Sequence, residues 1–97
     1  MSENKENVCL KALEDMLKQS FDKDEYSLGD VKESAVCLVK NGKSWEVFEK
    51  EKNSRNDLAS YNNIVEACIE MIRRMYLSRS EKYLEDFLEH IVVGKIA

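Results

Sequence analysis

The sequence predicts an α+β domain: a small antiparallel β-sheet of two to four strands, packed with an N-terminal helix and two C-terminal helices. Three observations predict it. β-Branched and apolar runs lie on either side of Asn41-Gly42. Apolar residues recur every three or four positions near both ends of the chain. The 97 residues, 43% hydrophobic and 35% charged, suffice for one core and not for two, so residues 1–97 read as a single domain.

The first helix runs from about Asn4 to Ser20. Val8, Ala12, Leu13, Met16 and Leu17 form one stripe, while Lys11, Glu14, Asp15 and Lys18 cover the opposite face. Ser2 or Asn4 is the candidate cap, and Phe21 closes the stripe. Residues 22–33, DKDEYSLGDVKE, are acidic. Within them Tyr26 and Leu28 alternate with Ser27, which permits a short edge strand, and Gly29-Asp30 marks a turn.

Ser34–Lys40, SAVCLVK, is nearly continuous in apolar character, as expected of a central strand buried on both faces. Asn41-Gly42 then signals a hairpin, since both residues tolerate positive φ. Ser44–Glu49 returns, with Trp45 and Val47 on one face and Glu46 and Phe48 on the other. Residues 50–57 read as a loop or hairpin and Leu58–Tyr61 as a further short strand. Asn63 and Glu66 have capping-box spacing and open a helix over 63–77, with Ile64, Ala67, Cys68, Met71, Ile72 and Met75 inward. Arg73 and Arg74 suit its C-terminal end. Ser78 and Glu81 repeat the signature before a helix over 79–93, whose stripe is Tyr83, Leu84, Phe87, Leu88, Ile91 and Val92. Gly94 is its candidate C-cap.

Several function classes lack support. A net charge of -4 argues against a general nucleic-acid binder. No apolar run approaches the ~18–20 residues of a membrane helix, and the opening MSENKENVCLKALEDM lacks a secretory apolar region, so a cytoplasmic location is expected. Cys9, Cys37 and Cys68 are odd in number, widely spaced and without a C-x-x-C pair. They read as reduced core residues and not as metal ligands. His90 is the only histidine, with no encoded partner for acid–base or nucleophilic chemistry. Neither a dinucleotide nor a phosphate-loop motif is present. No cofactor and no enzymatic activity are expected.

Charge is distributed unevenly. Residues 34–55 place Lys40, Lys43, Lys50, Lys52 and Arg55 against Glu46, Glu49 and Glu51, as suits a solvated hairpin edge. Trp45 within that hairpin reads as core ahead of a base-stacking platform. Residues 1–33 hold nine acids against five lysines. A carboxylate-rich surface steers and binds a basic partner.

The stretch Glu33–Arg74 resembles small immunity proteins of bacterial polymorphic toxin systems, including those of contact-dependent growth inhibition. The pieces that carry the resemblance are the apolar strand Val36–Val39, the turn Asn41-Gly42, and the W-x-V-aromatic strand of Trp45, Val47 and Phe48. They continue with the charged stretch Glu51–Asn53, the aromatic Tyr61, and a helix opening with Glu66-Ala67-Cys68. Such proteins often have Gly after the charged pair, where Lys52-Asn53 stands here. Asn also takes positive φ, so a turn survives. The resemblance covers a little under half of the chain. It implies a non-enzymatic role: binding and neutralising a cognate toxin domain, a basic nuclease such as an RNase, by blocking its active site or substrate access.

The residues that match the family pattern read as scaffold, so contact residues are chosen by chemistry. Asp22, Asp24, Glu25, Tyr26, Asp30 and Glu33 combine carboxylates with a Tyr on loop or edge and are the first choice. The polar run Glu49–Asp57 is the second. Two rival readings stand beside the toxin partner. One is an interaction adaptor, homodimeric through the sheet edge or the 63–93 helices. The other is a small RNA-binding regulator using the 40–55 hairpin.

Overall fold

The computed structural model describes residues 2–96. Helix α1 spans Ser2–Ser20. Strands β1 (Tyr26–Leu28), β2 (Val36–Asn41), β3 (Ser44–Glu51) and β4 (Ser54–Tyr61) follow. Helix α2 (Ile64–Tyr76), a 3-10 turn (Leu77–Arg79) and helix α3 (Ser80–Ile96) end the described chain. The sheet order is β1-β2-β3-β4. The α+β class and the helix–sheet–helix–helix order agree with expectation.

The sheet is mixed, not antiparallel throughout. β2–β3 and β3–β4 are antiparallel, but β1 runs parallel to β2, pairing Tyr26 with Val36 and Leu28 with Leu38. Parallel neighbours ordinarily need a long crossover. β1 escapes this because it is only three residues long. A short return over 29–35 brings the chain back beside its start, where the Val36 amide donates to the Glu25 carbonyl at 3.1 Å and the Gly29 amide to that of Leu38 at 2.8 Å. Gly29 takes φ 98°, which a Cβ would strain.

The core lies on one face of the sheet. Cys9, Leu13 and Leu17 of α1 meet Leu38, Trp45 and Val47 of the sheet. Ile64, Ala67, Cys68, Met71, Ile72 and Tyr76 of α2 and Phe87 of α3 complete the cluster. An aromatic stack locks the corner where the helices converge. The Tyr76 and Tyr83 rings stack at 3.7 Å, Phe21 meets Tyr76 edge-on at 5.0 Å, and Tyr76 Oη lies 2.9 Å from Ser20 Oγ. Over α1, Trp45 Nε1 donates to Glu6 at 3.3 Å, and Lys40 pairs with the same carboxylate at 3.3 Å.

The opposite face carries a smaller cluster of Ala35, Cys37, Val39 and Phe48, all buried. β2 is thus buried on both faces, as its apolar run predicted. The 29–35 return covers part of this second face: the Lys32 amide donates to Cys37 Sγ at 3.4 Å. The Arg55 guanidinium covers Phe48, 4.7 Å from the ring centre.

Local expectations hold at some ends and fail at others. Asn63 caps α2, accepting from the Glu66 amide at 2.9 Å. The first hairpin turns on Gly42-Lys43, with Gly42 at φ 63° and Asn41 kept in β2 opposite Ser44. Centred on Asn41-Gly42, it would set Lys40 against Lys43. As formed, Lys40 lies opposite Trp45 with its ammonium 5.5 Å from the ring centre. The 50–57 segment is mostly strand, with Lys52-Asn53 alone turning between β3 and β4.

Ser78 does not cap α3. The chain turns at Leu77 and runs through a 3-10 turn directly into the helix, so Ser78 lacks the extended backbone of an N-cap. Helix α3 also continues past Gly94 to Ile96. The candidate caps Ser2 and Asn4 lie outside the residues whose side chains are described.

β4 contains a bulge. Its register against β3 shifts between Val47 and Glu49, and Asp57 there takes φ 51°. Arg74 of α2 donates to the Asp57 carbonyl and, at 2.7 Å, to Glu70, which also accepts from Tyr61 Oη at 3.3 Å. The bulge is therefore braced from the helix layer.

Leu77 ends α2 at φ 53°, ψ -122° while 72% exposed. That is the backbone conformation of the first central residue of a type II′ turn, a glycine position. Strain of this kind costs about 1–3 kcal/mol in a residue with Cβ. Leu77→Gly should therefore stabilise the fold by about 1 kcal/mol, raising the melting temperature by about 4–8 °C in thermal unfolding. An unchanged or lowered melting temperature would refute the strain.

Burial raises the Cys68 thiol pKa far above its ordinary value, with Cys9 beside it adding to the effect, and burial raises that of Cys9 too. The folded state thus holds these protons more tightly than the unfolded chain. Their contribution is complete below a free thiol's value of about 8.5 and is lost as pH rises above it. Urea unfolding should give constant stability from these groups up to about pH 8.5 and a decline above. Cys68→Ala should flatten that decline.

Candidate partner-binding face

Of the six residues chosen from sequence, Tyr26 opens β1 and the other five flank that strand. α1 ends in a tight turn in which the Asp22 amide donates to Glu25 Oε2 at 2.8 Å and the Glu25 amide to the Asp22 carbonyl at 2.9 Å. The chain then enters β1 and returns through 29–35. Lys32 clasps the two loops together: its Nζ reaches the Lys23 carbonyl at 2.7 Å and Asp24 at 3.3 Å. Asp22, Asp24, Glu25, Asp30 and Glu33 are all exposed. Among the described residues, Asp22, Glu25 and Asp30 have no ion pair.

Tyr26 has a different setting. It is half-buried and packs on the main core, so its ring supports the acidic loops from below and is not a free knob.

The fold joins this acidic segment to the second sequence candidate. Glu33 pairs with Lys50 at 2.8 Å, and the Ser34 amide donates to the Lys50 carbonyl at 2.9 Å. Beside that junction lies a hollow of about 550 Å³. Glu25, Glu49 and Glu51 line it, together with Phe21, Met75 and Arg74. Lys50 and Arg74 are committed within the fold, Lys50 to Glu33 and two carbonyls, Arg74 to Glu70 and the Asp57 carbonyl. Lys52 is the exposed cation left at the rim. Carboxylates therefore dominate what this face offers to a partner.

No family model, curated protein or solved structure matches the chain. The face is therefore read from its own chemistry.

The basic hairpin makes a poor alternative site. Trp45 is buried with its indole N–H on Glu6, so its ring is not available to a base. Lys40, Lys50 and Arg55 pair with Glu6, Glu33 and Glu46. His90 is exposed on α3. Cys9, Cys37 and Cys68 are free and buried. Among the described residues, no three His, Cys, Asp or Glu side chains converge as metal ligands do. No described helix is long and apolar enough to cross a membrane.

Sequence reasoning missed Phe21 and Met75 as the apolar part of the hollow. Phe21 carried a signal, as the last apolar residue after α1. Met75 read only as helix stripe, and nothing in its spacing places it beside Glu49.

Lys32 holds the loops by an exposed pair, a kind worth about 0.5 kcal/mol. Lys32→Met should therefore leave global stability nearly unchanged. It should speed amide exchange of residues 22–33 in hydrogen-exchange mass spectrometry, with the helices unaffected. Unchanged exchange in that segment would show that the clasp does not order it.

Proposed function

We propose that this chain is an immunity-type inhibitor. It binds a basic cytotoxic domain in the cytoplasm of the cell that makes it and neutralises that domain by obstructing substrate access. The observation that carries the reading is the joining of two acidic segments, Asp22–Glu33 and Glu49–Glu51, around a hollow that also presents Phe21 and Met75. The resemblance of Glu33–Arg74 to toxin-system immunity proteins points the same way.

A nuclease is the toxin class that this chemistry fits. An enzyme that holds a polyanion needs a basic cleft, and a carboxylate-rich face complements it while competing with phosphate. Long-range attraction speeds capture, and apolar contacts at the centre slow release. A standard interface takes about 800 Å² of each partner. That is a modest share of the 6416 Å² that the chain exposes.

The rival readings have less in their favour. Self-association through the β4 edge has the bulge at Asp57 against it, since a bulge disrupts strand pairing. RNA binding through the hairpin lacks an accessible Trp45.

The test is co-expression with the domain encoded immediately upstream of this chain. Host survival and co-purification of both chains are expected. Killing that this protein does not prevent would overturn the reading. On the purified pair, the double variant Asp24→Lys/Glu25→Lys should weaken binding about tenfold or more at low salt and flatten its salt dependence. An unchanged affinity and salt slope would remove this face as the interface.

A further inference from the structure

We infer that the groove between α1 and α3 is a second docking surface, shaped for a basic amphipathic helix. Assigning that helix to the cytotoxic partner rests on the inhibitory role above; the groove's chemistry does not. The groove encloses about 490 Å³. Its floor is apolar: Ala12 and Met16 from α1, Tyr83 from α3, with Phe87 beneath them. Val8, 38% exposed, continues the stripe one turn beyond Ala12.

The backbone of the walls selects a helical occupant. Both walls are α-helices whose interior amides and carbonyls bond within their own element. They have no strand edge to extend, so an occupant finds side chains only. A segment entering an apolar groove must satisfy its own backbone groups, and a helix does so internally. Ala12–Gln19 and Tyr83–His90 each span about two helical turns, or about 11 Å. That length fits apolar side chains at i, i+3 or i+4, and i+7 of the occupant.

The α3 side of the rim selects a basic flank. Asp15 is already held by Lys11 and Lys18, each at 3.2 Å, and these lysines keep its carboxyl below the usual range. Asp86 and Glu89 on the α3 wall are exposed and, among the described residues, have no ion pair. Lys or Arg side chains on the α3-facing flank of the incoming helix would pair with them while its apolar stripe covers Met16 and Tyr83. An acidic helix would bring like charges to the same rim.

The test uses the full chain, 15N-labelled, titrated with a synthetic helix of about 16 residues. The peptide carries Leu at i, i+4, i+7 and i+11 and Lys elsewhere on its exposed face. The control has the same composition in permuted order. Amide shifts centred on Ala12, Met16, Tyr83, Asp86 and Phe87 are expected, with the permuted peptide at least about tenfold weaker. Asp86→Lys/Glu89→Lys and, separately, Ala12→Trp, which fills the floor, should each weaken the peptide about tenfold or more. Equal binding of the permuted peptide, or shifts confined to residues 22–33 and 49–51, would overturn the groove. Failed co-expression rescue together with groove-specific peptide binding would sink the inhibitory role alone.

Discussion

The structure depends on burying β2 from both sides with helices available on one side only. α1, α2 and α3 all contribute to the cluster on one face of the sheet, where Leu38 lies. Cys37 and Val39 point the other way, and no helix contributes to their cluster. An apolar residue left in water there would forfeit about 1.5–3 kcal/mol of burial. The chain closes that face with what is at hand: the 29–35 return laid over Cys37 and the Arg55 guanidinium over Phe48. The loop is therefore positioned by the need to cover β2. Because Asp30, Lys32 and Glu33 ride on it, the same need fixes the acidic face. A shorter return would expose Cys37. A longer one would loosen the hold that Lys32 and the Ser34 amide have on the loop's two ends.

The sheet's edges are managed by different means. β1 is short, and its neighbouring loops carry charge, so it offers little backbone to another strand. β4 is as long as β3 and would pair readily with a foreign strand if flat. The bulge at Asp57 interrupts it, and Arg74 engages the bulged carbonyl from within the molecule. Arg74 and Glu70 are one helical turn apart, so their ion pair presents the guanidinium to the sheet already oriented. One pair on α2 thus braces the bulge of an edge strand.

What was legible in the sequence followed from periodicity and from side chains acting on their own neighbours. The α2 stripe, the two-sided burial of β2 and the Asn63 cap needed only residues within a turn or two; on α1 the buried line is Cys9, Leu13 and Leu17, with Val8 of the expected stripe exposed. What was not legible depended on contacts far along the chain. The parallel direction of β1 is decided by where the return loop can find cover, which no local pattern encodes. The Gly42-Lys43 centre of the hairpin, by contrast, is local: Gly42 takes the positive φ of the first turn position, a choice that the Asn41-Gly42 signal masked. At Leu77 a packing demand, the stacking of Tyr76 on Tyr83, accompanies a backbone conformation that a local reading assigns to glycine, and the capping signal at Ser78 is lost with it. The acidic residues were found by composition. Their union with Glu49 and Glu51 was not, because it is made through Lys50, which read as part of an opposing basic cluster.

Fold and recognition are separable in this molecule. Its stability comes from apolar contacts to which Asp22, Asp24, Glu25 and Asp30 contribute nothing, and from ion pairs at the surface that are individually weak. Those carboxylates lie outside the core, so the fold does not rest on them, while Glu25, accepting the Asp22 amide, and Asp24, paired with Lys32, help to order the loops that bear them. Order matters for any binding loop, since a loop that must be immobilised on binding gives back part of its interaction energy as lost entropy. The same logic separates the two proposed surfaces. Under the proposal, the acidic face would act at long range and set which partners arrive. The groove between α1 and α3 acts only in contact, through shape, and would set which of them stay.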